Sequence, residues 1–250
     1  MPTFTRSDDL RRAEFRGADL HRARFVECDL SGVVIRGSEI EAMEIDAPWL
    51  VHGDPLVVNG VDVVPFVEAE LDRRFPGREQ RRAEDPDGLR AAWAAVEQTW
   101  ATTLARVATM PAGTVDVSVA GEWSFAQTLR HLVHATDLWL GRAVMELEQP
   151  FHPLGLGHAE DGPEAQDGRP LTPSYDEVLE VRAGRVAMVR DLLTTVTADD
   201  LATPRRNPHD PEGAETTRSC LHVILEEEWE HLRFAVRDLD LIESGGASPG

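Results

Sequence analysis

Residues 219–242 read SCLHVILEEEWEHLRFAVRDLDLI, and their apolar spacing predicts a long helix from about Thr217 to Ile242. Placed at 100° intervals, His222, Glu226, Glu230, Arg233, Arg237 and Asp240 share one sector of about 80°, read as the face turned to water. Glu227, Glu228 and His231 fall instead on the sector of Val223, Ile224, Leu225, Leu232, Phe234, Ala235 and Leu239. Ionisable groups on a core face need a metal or a polar network, because burying an unpaired charge is costly. Glu227 and His231, four apart, project side by side as two ligands of one ion could. Glu228 reads either as a partner orienting His231 or as an acid of the bundle interior.

Three more helices are predicted upstream. The first spans about 88–109, with Leu89, Trp93, Val96, Trp100, Leu104 and Val107 on one stripe. A second starts at Ser124, with Gln127 completing a capping box, and runs to about Leu147. The third starts with Ser174 and Glu177 in the same relationship and reaches about Thr195. Four helices with long connections make a bundle; the connections are Gln149–Pro173 and the polar loop Thr203–Thr216. On the second helix His131 lies at the margin of the apolar stripe and His134 nearer the solvent side. Trp93, Trp100, Trp139 and Trp229 read as core anchors, and His152, His158 and His209 as solvated loop residues.

The N-terminus follows another rule. Large apolar residues recur every five positions at Leu10, Phe15, Leu20, Phe25, Leu30, Ile35, Ile40 and Ile45, with small residues two positions before most of them. That period suits neither helix nor strand and implies a chain turning corners around a narrow axis. Phe15, Phe25 and Cys28 are accordingly expected to face inward. After Ala47-Pro48, Asn59-Gly60 between two β-branched runs predicts a hairpin at about 55–64, expected to close the open end of that axis. A short helix over Phe66–Phe75 and a linker over Arg78–Asp87 complete the connector.

Composition narrows the chemistry. The 250 residues are 42% hydrophobic and carry a formal charge of −20, which disfavours nucleic acid and anionic membrane as partners. No apolar leader opens the sequence, so a cytoplasmic location is expected. Cys28 and Cys220 stand alone and are expected as reduced thiols. All 25 basic residues are Arg, which excludes Schiff-base and P-loop lysine mechanisms. The sequence is compatible with a homodimer.

The segment AEFRGADLHRARFVECDL (13–30) resembles the pentapeptide-repeat family, which implies a right-handed quadrilateral β-helix of about two coils over residues 8–46. GEWSFAQTLRHLVHATDLWLGR (121–142) is similar to the second helix of DinB-like proteins, in which a metal-binding His follows Trp by eight residues; here that is His131, after Trp123. The stretch 219–242 resembles the family's last helix, which normally offers His-x-x-x-His; His231 matches the second His, and Glu227 stands where the first belongs. The expected fold is therefore α plus β in two parts: a β-solenoid (1–48), a connector (49–87) and a DinB-like four-helix bundle (88–245). The expected site is a divalent metal, Zn, Ni, Fe or Mn, on His131, Glu227 and His231. The resemblance implies a metal-dependent S-transferase using a low-molecular-weight thiol such as mycothiol. Two competing functions are a non-catalytic scaffold with a degenerate metal site and a DNA-imitating topoisomerase binder. The repeat's ten acids against six Arg and its short length speak against the last.

Overall fold

The computed structural model describes residues 3–5, 7–26, 28–157, 173–210 and 212–245. The chain divides into two compact units, Met1–Asp46 and Ala47–Gly250.

In the first unit a turn closes every ten residues, at every second repeat. The N–H groups of Ala13, Ala23, Val33 and Met43 donate to the carbonyls of Leu10, Leu20, Leu30 and Ile40 at 2.9–3.1 Å. Each turn places one residue in the left-handed region: Arg12, Arg22, Gly32 or Ala42. Asp9, Asp19 and Asp29 accept the N–H two residues on, fixing the turn locally. Among the described residues no strand forms here. The apolar ladder expected to face inward is exposed, from 46% at Leu10 to 59% at Phe25, and so is Cys28. Among the described residues of this unit none is buried.

The second unit opens with a 3-10 turn at Leu50–His52 and the predicted hairpin, β1 (Val57–Val58) antiparallel to β2 (Val61–Asp62), with Asn59 and Gly60 both at positive φ. Helix α1 (Val64–Arg74) buries no residue. A 3-10 segment at Arg78–Arg82 follows, and the linker expected there is in fact an interface: Arg78 and Arg81 are buried.

The bundle comprises α2 (Pro86–Val107), α3 (Phe125–Thr136) running on as a π-helical segment (Asp137–Val144), α4 (Tyr175–Thr195) and α6 (Thr217–Glu243), with a one-turn α5 (Ala198–Leu201). Asp85 caps α2 by accepting the N–H of Gly88 at 2.9 Å, with Pro86 at the first helical position. Both predicted capping boxes, Ser124/Gln127 and Ser174/Glu177, are formed. Leu89, Trp93, Val96, Leu129, Leu132, Leu140, Val178, Val189, Ile224, Trp229 and Leu232 meet in one core, each at most 2% exposed, and burying each such side chain contributes about 1.5–3 kcal/mol. The segment Thr203–Thr216, expected as a loop, is a hairpin of β3 (Pro204–Arg206) and β4 (Ala214–Thr216). His158 lies outside the described residues. Among the described residues no helix is long and apolar enough to cross a membrane.

The face of α6 read as turned to water is largely covered. His222 Nε2 donates to the Ala83 carbonyl at 2.8 Å. Glu226 pairs with His52 (2.9 Å) and Arg82 (2.8 Å). Glu230 approaches Arg78 at 3.5 Å, and Arg78 also pairs with Glu68 and Asp72 of α1. The connector is thus held to α6 by ion pairs on a face whose charges suggested solvent.

Candidate metal centre

Three successive glutamates on α6 point three ways. Glu226 faces the connector, Glu228 the bundle interior, and Glu227 a gap between α6 and α3. One helical turn after Glu227, His231 returns to the same gap; across it stands His131 of α3, 4% exposed.

The ligand atoms of His131, Glu227 and His231 all lie within 4.8 Å of one another. Glu227 Oε2 is 3.3 Å from His131 Nε2 and 3.2 Å from His231 Nε2. Bonds of about 2.0–2.1 Å in a tetrahedron separate neighbouring ligand atoms by about 3.3 Å, so the spacing fits a zinc-sized ion. The proton positions fit it too. His131 Nδ1 lies 3.0 Å from the Leu156 carbonyl, which can only accept, so Nδ1 carries a proton and Nε2 is the nitrogen turned toward the carboxylate. Two acceptors at that distance need a cation between them, either a metal or an extra proton. Burial alone would raise the Glu227 carboxyl pKa, but hydrogen bonds and charge from His131 and His231 outweigh it and hold the group well below the usual carboxylate range.

An aromatic wall flanks the set. The Trp123 ring lies 4.6 Å from that of His131 and 6.0 Å from that of His231, nearly parallel to the latter. Phe234 meets His231 edge-on at 5.8 Å and carries the Arg233 guanidinium 4.4 Å above its ring.

Of the two readings of Glu228, the structure shows the acid of the bundle interior. It is 1% exposed and bound by Arg182 of α4, not by His231. Burial raises its pKa against the opposing effect of Arg182. The tryptophans read as core anchors, Trp93, Trp100, Trp139 and Trp229, are all buried. His134 is half-buried, stacked on Phe151 at 5.2 Å. His209 packs edge-on to Trp139. Burial and then the charge of Arg185 lower the pKa of His152, whose neutral Nδ1 accepts the N–H of Leu154 at 3.1 Å. The Leu156 carbonyl and Arg182 had no sequence signal: one is backbone, the other a lone Arg on a mixed helix.

Residues 95–235 match the family model described as the DinB superfamily. That is more than half of the chain, and the chain belongs to the DinB superfamily. Residues 9–37 match the model for pentapeptide repeats, in eight copies. No curated protein and no solved structure matches.

Proposed function

We propose that this chain is a metal-dependent enzyme that transfers a low-molecular-weight thiol to a small electrophile, with His131 Nε2, Glu227 Oε2 and His231 Nε2 holding a divalent Zn, Ni, Fe or Mn. The observation that carries the reading is the convergence of three metal-ligating atoms within 4.8 Å of one another, with Glu227 Oε2 3.2 and 3.3 Å from the two histidine nitrogens, within a DinB superfamily domain. Such an ion would bind the thiol as thiolate and lower its pKa. Glu227 adds a negative charge that a neutral imidazole would not, which makes for a weaker Lewis acid and modest activity. Trp123 supplies a flat apolar wall against which a thiol or electrophile would lie. In the same proposal, residues 8–46 wind as a right-handed quadrilateral β-helix of about two coils, in which the turns at every second repeat are alternate corners.

Elemental analysis of the full-length protein and its variants tests this. His231→Ala and Glu227→Ala are expected to lose metal, whereas Glu227→His retains it and transfers thiol faster to a generic electrophile. Full occupancy in Glu227→Ala, with no gain in Glu227→His, removes Glu227 from the site. In that case the second reading, a non-catalytic scaffold, becomes the better one; the exposed apolar ladder from Leu10 to Ile45 favours it as a surface for a protein partner.

A further inference from the structure

The segment leaving the second bundle helix is bound back along that helix. Pro150 lies against Gly141, where an added Cβ would stand 3.1 Å from the proline Cβ, and Gly155 lies against His134, where it would stand 3.3 Å from the His134 Cβ. Arg130 clips the segment twice: its Nε donates to the Leu154 carbonyl (2.9 Å), and its own carbonyl accepts the N–H of Leu156 (3.1 Å). At the other end, the His152 N–H donates to Asp137 Oδ2 at 2.8 Å. The His152 ring then accepts the N–H of Leu154, and the His152 carbonyl accepts that of Gly155 at 2.9 Å.

Asp137 is fully buried. It is the first residue of the π-helical segment, and Arg185 of α4 grips both its oxygens, at 2.6 and 3.2 Å. Six residues separate it from His131, so the two point to different faces of the helix, about 120° apart on regular geometry. Its route to the metal centre is the segment itself, which ends with the Leu156 carbonyl on His131 Nδ1.

We propose that Asp137 is a positioning residue for the metal centre: by holding the His152 N–H it fixes segment 150–157, so that the Leu156 carbonyl keeps the His131 proton on Nδ1 and aims Nε2 at Glu227 and His231. This rests on the metal reading of His131, Glu227 and His231. Partners of this kind, one shell out from a ligand, set its tautomer and ring orientation.

The test uses full-length protein, Co²⁺ as the probe, and ¹⁵N NMR of the metal-free form. In the parent, Co²⁺ binding should give visible absorption bands of a low-coordinate site, and the neutral form of His131 should be the Nδ1–H tautomer before any metal is added. Asp137→Ala is expected to weaken Co²⁺ about 10- to 100-fold, to change the band pattern and to lose the fixed tautomer. Asp137→Asn keeps an oxygen for the His152 N–H while giving up the charge pairing with Arg185. It should therefore lower the thermal midpoint yet keep the parent's bands and tautomer, which a merely structural role would not predict. Should Asp137→Ala fail to fold, Gly155→Ala decides instead: its methyl would stand 3.2 Å from the His152 carbonyl oxygen and 3.3 Å from the His134 Cβ, so the segment must shift by a few tenths of an ångström without any change of charge, and it should weaken Co²⁺ and shift the bands. A parent that binds no Co²⁺ overturns the metal reading and this inference together. A parent that binds it, with folded Asp137→Ala or Gly155→Ala unchanged in affinity, bands and tautomer, overturns this inference alone.

Discussion

Neutralising Glu228 without removing its volume should be among the most damaging single changes in the bundle. Both Glu228 and Arg182 are almost wholly buried, at 1% and 7% side-chain exposure, and each oxygen of Glu228 is bound by the same guanidinium nitrogen of Arg182. The other terminal nitrogen of Arg182, Nη1, is buried with no hydrogen-bond partner. Glu228→Gln would leave a full positive charge in the interior with one neutral acceptor. Breaking a buried pair in this way costs about 3–5 kcal/mol, whereas replacing both partners by apolar residues of similar volume is often neutral or better. In a domain of this size each kcal/mol moves the midpoint by about 2–4 °C, so Glu228→Gln should melt roughly 10 °C lower and the double variant Arg182→Met/Glu228→Leu near the parent. Urea and thermal unfolding followed by circular dichroism, on chelator-treated protein so that no bound ion contributes, compare Glu228→Gln with the four corners of the cycle: the parent, Arg182→Met, Glu228→Leu and the double variant. A Glu228→Gln protein within about 1 kcal/mol of the parent, or a double variant as unstable as the single one, would refute the reasoning, because the cost would then not lie in an uncompensated charge.

Two further outcomes are expected. Burial pushes the Cys220 thiol up to about 12, so at pH 8, well below that value, it stays protonated and unreactive. Exposed Cys28 should consume one equivalent of a chromogenic disulfide reagent per native chain, with a second consumed only in denaturant; two equivalents in native buffer would contradict the burial. Gly77→Ala places a Cβ 2.5 Å from the Ala95 Cβ at φ +97°, and should cost about 1–2 kcal/mol for the left-handed backbone plus about 1–3 kcal/mol for overpacking. Gly113→Ala, at φ +88° with nothing near, should show only the first of these in the same urea titration.

The helices were legible because their starts are written in local chemistry. Ser124 with Gln127 and Ser174 with Glu177 need only their own turn to form. The Leu89-to-Val107 stripe likewise declares its buried face by spacing alone. His131 and His231 came through resemblance and spacing together. What stayed hidden depends on partners distant in the chain. Glu226 and Glu230 look solvated on a helical wheel, since nothing there says that His52, Arg78 and Arg82 will cover them. The exchange of hydrogen-bond ladders at Asp137 leaves no mark in apolar spacing, because the π-helical segment is apolar on much of its surface. The β3–β4 hairpin is six residues of Pro, Arg, Ala, Glu and Thr, without the alternation that announces a strand.

The three consecutive glutamates of α6 also answer a problem that apolar packing leaves open. A helix with a broad greasy stripe can turn about its own axis inside a bundle at modest cost, since one leucine substitutes tolerably for another. Here a turn of a single residue would hand Glu226 the place of Glu227, Glu227 that of Glu228 and Glu228 that of buried Trp229, leaving His52 and Arg82 opposite Leu225 and a carboxylate in the apolar core. The triplet acts as a three-toothed key whose teeth fit three unlike wards. Rotational slippage of the last helix is excluded by electrostatics, at positions where shape alone would permit it.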